Sequence, residues 1–214
     1  MVAAGLAREA GFSILALTVN YSQRHLVELA AARRIAAALE AVRHVVLPID
    51  LRLFGGSSLT ADIAVPKDGI GTNGKSGIPT TYVPARNTIF LSIALGWAEA
   101  EGARNLYLGI NALDYSGYPD CRPEFRDAFE TMANLATRAG VEGDRFHIHA
   151  PLLAMTKADI VREAARLKLD AGMSWSCYDP HEGKHCGRCD SCRLRAKGFI
   201  EAQLPDPTEY ASAR

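Results

Sequence analysis

Four of the five cysteines in this 214-residue chain fall between Cys177 and Cys192. Eight residues separate Cys177 from Cys186, and two residues separate Cys186 from Cys189 and Cys189 from Cys192. Sulfurs at two-residue gaps converge on one ion when the intervening pair, here Gly187 and Arg188, forms a tight knuckle. A helix starting near Asp190 would put Cys189 and Cys192 on one face and favour the thiolate form through its dipole. Zn²⁺ takes four sulfurs tetrahedrally without redox chemistry, and a closed four-cysteine site leaves no open position for substrate. The spacing therefore predicts a structural zinc held by Cys177, Cys186, Cys189 and Cys192. Lys184, Arg188, Arg193 and Arg195 are the nearby cations expected to offset its negative charge. Two alternatives use the same thiols: a pair of disulfides, which needs an oxidising compartment, and an iron–sulfur cluster, which spacing alone does not separate from zinc. His181 and His185 read as exposed loop histidines, and Cys121 as a buried or bystander thiol.

The rest of the composition is that of a soluble globular protein, with 48% hydrophobic residues. Lys and Arg number 24, equal to Asp plus Glu, so no overall field recruits nucleic acid or an acidic membrane. Arg8 and Glu9 interrupt the first apolar run, and the run from Thr88 to Ala98 is too short to span a bilayer. The expected location is the cytoplasm, where reduced cysteines more often bind metal.

Hydrophobic periodicity sets the order of elements. A helix is expected over residues 1–10, a strand over 13–19, a helix over 28–39 and a second strand over 44–49. Residues 50–84 read as a long, glycine-rich loop. A helix capped by Asn87 or Thr88 follows, with Ile89, Phe90, Ile93, Ala94 and Trp97 as its core stripe. Strands over 105–110 and 145–150 flank a helix over 123–138, and Thr156 with Asp159 makes a capping box for the helix through Leu167. A last helix runs from the knuckle toward Gln203, and Pro205 and Pro207 lead to a polar, frayed tail. The alternation predicts an α/β fold with a doubly wound parallel sheet over 1–170, a zinc-binding helical extension over 171–204 and a tail over 205–214.

Ligands of such sheets bind outside the carboxyl ends of the strands. Three cations are expected there: Arg24 after the first strand, Arg86 at a helix start, and Lys157 in a first helical turn. Together they suggest an anionic ligand, because helix N-termini and forked guanidinium contacts both favour phosphate or carboxylate. Gly55-Gly56-Ser57-Ser58 looks like a phosphate cradle but has no strand feeding it, and reads as a connection. Asp114 through Phe125 combines carboxylates and tyrosines able to hydrogen-bond and stack on a flat heterocycle. The same residues also suit a proline-closed turn whose aspartates cap helices.

Tyr21-Ser22-Gln23-Arg24-His25, Val83-Pro84-Ala85-Arg86-Asn87, Asp114 through Phe125, Lys157-Ala158-Asp159, Cys177-Tyr178 and Cys-Gly-Arg-Cys-Asp-Ser-Cys at 186–192 resemble the 7-cyano-7-deazaguanine synthases, in order, over nearly the whole chain. These belong to the ATP-pyrophosphatase-like (PP-loop) α/β group. The resemblance implies a ligase of queuosine biosynthesis that converts 7-carboxy-7-deazaguanine and ammonia to the nitrile, with ATP and Mg²⁺ as co-substrate. It implies that Arg86 and Lys157 neutralise phosphate charge. Asp114, Ser116 and Asp120 would face the deazapurine, and Arg24 a phosphate or carboxylate. A homodimer is the expected assembly, with no membrane or nucleic-acid partner. The family begins with a strand and a Ser-Gly-Gly-x-Asp-Ser loop around the ATP phosphates, whereas the first residues here match the helix after that loop. The expectation is a truncated chain of impaired activity. Two alternatives stand beside it, a non-catalytic deazapurine-binding zinc protein and a tRNA-modifying PP-loop enzyme.

Overall fold

The computed structural model describes residues 1–23, 26–68, 72–73, 77–111 and 117–211. They group into two compact units, Met1–Pro84 with Thr156–Arg214, and Ala85–Met155.

In the first unit β1 (Leu15–Asn20) and β2 (Arg43–Pro48) pair in parallel, with Leu15 opposite Arg43 and Asn20 opposite Pro48. A parallel pair needs a crossover, which α2 (Val27–Ala38) supplies, burying Leu29, Ala31 and Ala36. Ahead of them, α1 (Val2–Glu9) buries the small residues Val2, Ala3, Gly5 and Ala7. Gly5 has a steric reason: a Cβ there would stand 2.8 Å from Leu169 Cδ1.

The segment read as one long loop contains short ordered pieces. Asp50 caps a 3₁₀ turn at Leu51–Leu53, and β3 (Thr72–Asn73) pairs antiparallel with β4 (Ile78–Pro79). Ser57 and Ser58 are fully buried. The Ser57 hydroxyl accepts the Leu59 N–H at 3.1 Å, and the Ser58 N–H and hydroxyl both donate to the Thr80 carbonyl. Gly55 to Ser58 is thus a folded connection whose polar groups serve the chain itself.

The second unit repeats the strand–helix–strand logic. β5 (Asn105–Tyr107) pairs in parallel with β6 (His147–His149), so both extended pairs that carry helical crossovers are parallel, as an α/β fold requires. The intervening helix is interrupted. It runs as α4 (Pro123–Ala136), turns extended at Thr137, and resumes as α5 (Arg138–Val141). The break has two local causes. The Thr137 hydroxyl accepts the Gly140 N–H at 3.2 Å, which caps the new helix. Gly140 also packs so closely on Asn134 that a Cβ would lie 2.5 Å from the Asn134 carbonyl oxygen.

The core of this unit is built from Leu91, Leu95, Leu106, Phe129, Ala133, Phe146 and Ile148. The buried face of α3 (Arg86–Ala100) is Leu91, Leu95 and Ala98, displaced from the predicted Ile89–Trp97 stripe. This helix is apolar on most sides, so periodicity could not select which face is most buried. Phe146 has no exposed surface, and Asn134 clamps its backbone by accepting its N–H at 2.8 Å and donating to its carbonyl at 3.0 Å. Phe146→Ala should therefore cost about 3–5 kcal/mol, from lost burial and the cavity left, measured as the shift in a urea unfolding curve.

Candidate functional site

The knuckle has the predicted geometry. The four sulfurs of Cys177, Cys186, Cys189 and Cys192 all lie within 4.8 Å of one another, as four ligands about 2.3 Å from one Zn²⁺ require. Cys177, Cys189 and Cys192 are buried. Backbone N–H groups aim at the sulfurs: Asp179 and Cys186 donate to Cys177 Sγ at 3.3 and 3.2 Å, and Cys189 to Cys186 Sγ at 3.3 Å. Such bonds stabilise negative sulfur, so the cradle fits a tetrathiolate metal centre. Gly187 makes the turn at φ +73°, and Cys189 is the N-cap of α7 (Asp190–Ala202), which places Cys192 in its first turn.

The crowding reshapes the acidity of the thiols. Hydrogen bonds from Cys177 and Cys192 hold the Cys189 thiol far below its ordinary value. The partner bond to Cys189 pushes Cys177 up to about 12. Bonds to Cys177 and Cys189 likewise raise Cys192. A metal bound by these sulfurs must displace the protons that the raised thiols hold.

The surroundings correct three expectations. His185 is buried rather than exposed: its ring lies tilted against Trp175 with the centroids 4.0 Å apart, and its Nε2 accepts the Ser176 N–H at 3.3 Å. Burial lowers its affinity for a proton, consistent with a neutral ring that accepts. The described part of the tail is anchored, since Asp206 takes the Tyr210 hydroxyl at 2.6 Å and lies 3.7 Å from Arg195, while His185 pairs its backbone with residues 209 and 211. Three of the four cations named for the metal's charge are paired with carboxylates, Lys184 with Glu209, Arg188 with Asp68 and Arg195 with Asp206, and Arg188 also feels the charge of the Cys186 sulfur. The ammonium that meets the knuckle comes from Lys67, which no local motif announces. It lies 2.6 Å from Asp179, and both the Asp179 carboxylate and the Cys186 sulfur favour its charged form. Partial burial opposes its protonation, but these two groups outweigh that and hold it above its usual value.

Arg86 and Lys157 each occupy the first position of a helix, where unpaired N–H groups favour anions. The two starts are made differently. Lys157 opens α6 (Lys157–Arg166) behind a complete capping box, with the Thr156 hydroxyl accepting the Asp159 N–H and the Asp159 carboxylate accepting the Thr156 N–H. The chain enters the Arg86 helix through its N-cap Ala85 at φ +52°, a conformation costly for alanine. Its capping side chain is distant: the buried Asp120 carboxylate accepts the Asn87 N–H at 3.0 Å, and the Asn87 amide donates to the Asp120 carbonyl at 3.1 Å and to Cys121 Sγ at 3.4 Å. Asp120 is thereby brought to the start of the Arg86 helix. Arg24, Asp114 and Ser116 lie outside the described residues.

Gly198 is a further residue that sequence reasoning passed over. A Cβ there would stand 2.8 Å from Lys157 Cβ and 3.2 Å from its carbonyl carbon, so only glycine lets α7 pack on the start of α6.

A match to the family model described as Queuosine biosynthesis protein QueC spans residues 1–203. The chain belongs to the QueC family. Curated relatives agree along the same length. A 7-cyano-7-deazaguanine synthase of Rhizorhabdus wittichii is 70% identical over 99% of this chain and 90% of its own length. The Sphingopyxis alaskensis protein named 7-cyano-7-deazaguanine synthase 1 is 68% identical over 99% of this chain and 93% of its own. A third, from Myxococcus xanthus, is 58% identical over 97% of this chain and 91% of its own. Membership in QueC thus rests on the whole chain, knuckle and helix starts included.

Two measurements check the site. Zinc analysis should find about one equivalent bound and most of it lost in Cys189→Ser, because a structural site needs all four ligands. Acid should act in the same direction: protons compete with the ion for thiols such as Cys177, so zinc occupancy falls as pH is lowered. Gly198→Ala should destabilise by about 1–3 kcal/mol despite alanine's better helix propensity, read by denaturant titration.

Proposed function

We propose that this QueC protein makes 7-cyano-7-deazaguanine from 7-carboxy-7-deazaguanine and ammonia at the expense of ATP, in the cytoplasm. The observation that carries the reading is the family match over residues 1–203 together with relatives up to 70% identical that bear the synthase name. The chemistry suits a phosphate-binding protein. A carboxylate is a poor electrophile, so its oxygen must first be converted to a leaving group. Transfer of AMP from ATP gives an acyl-adenylate and pyrophosphate, and ammonia then displaces AMP to give the amide. A second adenylation, at the amide oxygen, lets AMP leave as the nitrile forms and the nitrogen gives up its remaining protons. Each activation places phosphate charge in the site, and Mg²⁺ supplies part of its neutralisation.

Arg86 and Lys157 are our candidates for the rest, because each adds a cation to a helix N-terminus. Arg24, Asp114, Ser116 and Asp120 are our candidates for the deazapurine and its carboxylate. Asp120 is the one whose surroundings are described, and it also fastens the start of the Arg86 helix. Zinc at Cys177, Cys186, Cys189 and Cys192 is structural in this reading, since four thiolates leave no open coordination position. The protein is not a tRNA thiolation enzyme in this reading, because Cys121 is the one cysteine outside the knuckle.

The 214 residues contain no Ser-Gly-Gly-x-Asp-Ser run. We propose that a polypeptide of these residues alone turns over poorly, and that one preceded by such a strand and loop makes the nitrile efficiently. Incubation with both substrates, ammonia and Mg²⁺, with chromatographic detection of nitrile and AMP, tests this. In the loop-bearing form Lys157→Ala should lower kcat/KM for ATP about 100-fold or more, in the range seen when one transition-state charge contact is removed. Unchanged turnover would remove Lys157 from the site, and absence of nitrile from the loop-bearing form would sink the synthase reading.

A further inference from the structure

The connection between β2 and α3 meets the zinc knuckle at two successive residues. Lys67 places its ammonium 2.6 Å from Asp179 Oδ2, and the Cys186 sulfur favours its charged form. Asp179 in turn donates its backbone N–H to Cys177 Sγ at 3.3 Å. Lys67 therefore reaches Cys177 through Asp179 and acts on Cys186 through its charge. Asp68 is held in two ways. Its N–H donates to the Arg188 carbonyl at 3.0 Å, and its carboxylate accepts from Arg188 Nε at 2.9 Å. Arg188 stands between two ligands, so the second clip grips the knuckle turn itself, across 120 residues of sequence. Asp68 has φ +58°, which an aspartate adopts only where its surroundings compensate the cost.

Charge gives this contact a role. Four thiolates around Zn²⁺ leave a net charge of about minus two, in a cradle where three of the four sulfurs are buried. Partners outside the first coordination sphere that donate to ligand atoms raise metal affinity by holding that charge and fixing ligand orientation. Among the described residues, Lys67 is the lysine whose charged form a ligand sulfur favours, and it lies on a segment with little regular structure of its own. Whatever free energy the ion gains from a fixed connection, the connection gains from the ion, because linkage is reciprocal.

We propose that Lys67 is the outer-sphere cation of the zinc knuckle, and that through Lys67 and Asp68 ion binding and the fixing of residues 57–68 form one coupled equilibrium. The proposal rests on the reading of the four thiols as a zinc site and is independent of nitrile synthesis.

The test uses the full chain loaded with zinc and two readouts. Zinc transfer to an excess of a chromogenic chelator is timed for the parent, Lys67→Met and Lys67→Arg. Methionine keeps much of the length without the charge, and arginine keeps the charge. Hydrogen exchange of peptides covering 57–68 is followed by mass spectrometry in the same proteins and after zinc removal, with α4 as the reference. Lys67→Met should release zinc about 10-fold faster or more, the scale of losses on removing such partners. Lys67→Arg should restore most of the slow release. Exchange over 57–68 should rise on zinc removal and in zinc-loaded Lys67→Met, with α4 unchanged in the loaded variant. Release from Lys67→Met at the parental rate, or exchange over 57–68 indifferent to both zinc and the substitution, overturns the coupling. A parent that binds no zinc overturns the zinc reading instead.

Discussion

Four sulfurs within 4.8 Å of one another cannot all carry charge without a cation among them. That constraint organises the C-terminal part of the chain. The knuckle fixes the start of α7, because Cys189 is its N-cap and Cys192 lies in its first turn. It fixes Trp175, whose indole N–H donates to the Cys177 carbonyl at 3.0 Å, and through Trp175 the buried ring of His185. The His185 backbone then holds the strand-like end of the chain at residues 209–211. Each step is short-ranged, and each depends on the preceding one for its geometry.

The helix starts at Arg86 and Lys157 show two ways of preparing a positive site. At Lys157 the cap is made by residues one place before and two places after it, so the site is assembled as soon as the helix forms. At Arg86 the cap is Asp120, supplied from another part of the unit, and the chain enters through a left-handed alanine. A helix start held in this way depends on tertiary structure, and a disturbance near Asp120 reaches Arg86 through its hydrogen-bonded neighbour Asn87.

The difference explains what could be read from the sequence. The capping box at Thr156 and Asp159, the metal spacing and the strand–helix alternation are local patterns, and each appears where its pattern indicates. Features that depend on distant partners were not legible. The cap at Asn87 was assigned to α3's own residues, because nothing in the sequence ties Asp120 to it. The buried face of α3 was displaced because an all-round apolar helix carries no directional signal. His185 and the tail read as exposed because their partners, Trp175 and Arg195, lie ten or more positions away in the sequence. Lys67 lay in an apparently featureless loop, and only the fold sets it against Cys186. One weak hint existed: a Lys-Asp pair after an otherwise apolar Ala-Val-Pro segment.

A metal held by the four sulfurs would also compensate for a shortage of apolar burial. In α7 the residues that are buried are Asp190, Cys192, Gly198, Phe199 and Ala202. Phe199 is the one large apolar side chain among them, and burying such a group contributes only about 2–3 kcal/mol. That is little to hold a 13-residue helix with three basic side chains, two of them in its first two turns. Metal ligation at its N-terminal end and Phe199 near its C-terminal end give it two separated anchors, which fix direction as well as position. Between them Gly198 rests against Lys157, so the angle of α7 sets the space available to the first residue of α6. A zinc with no part in bond making can therefore govern a helix start whose cation is proposed to meet phosphate.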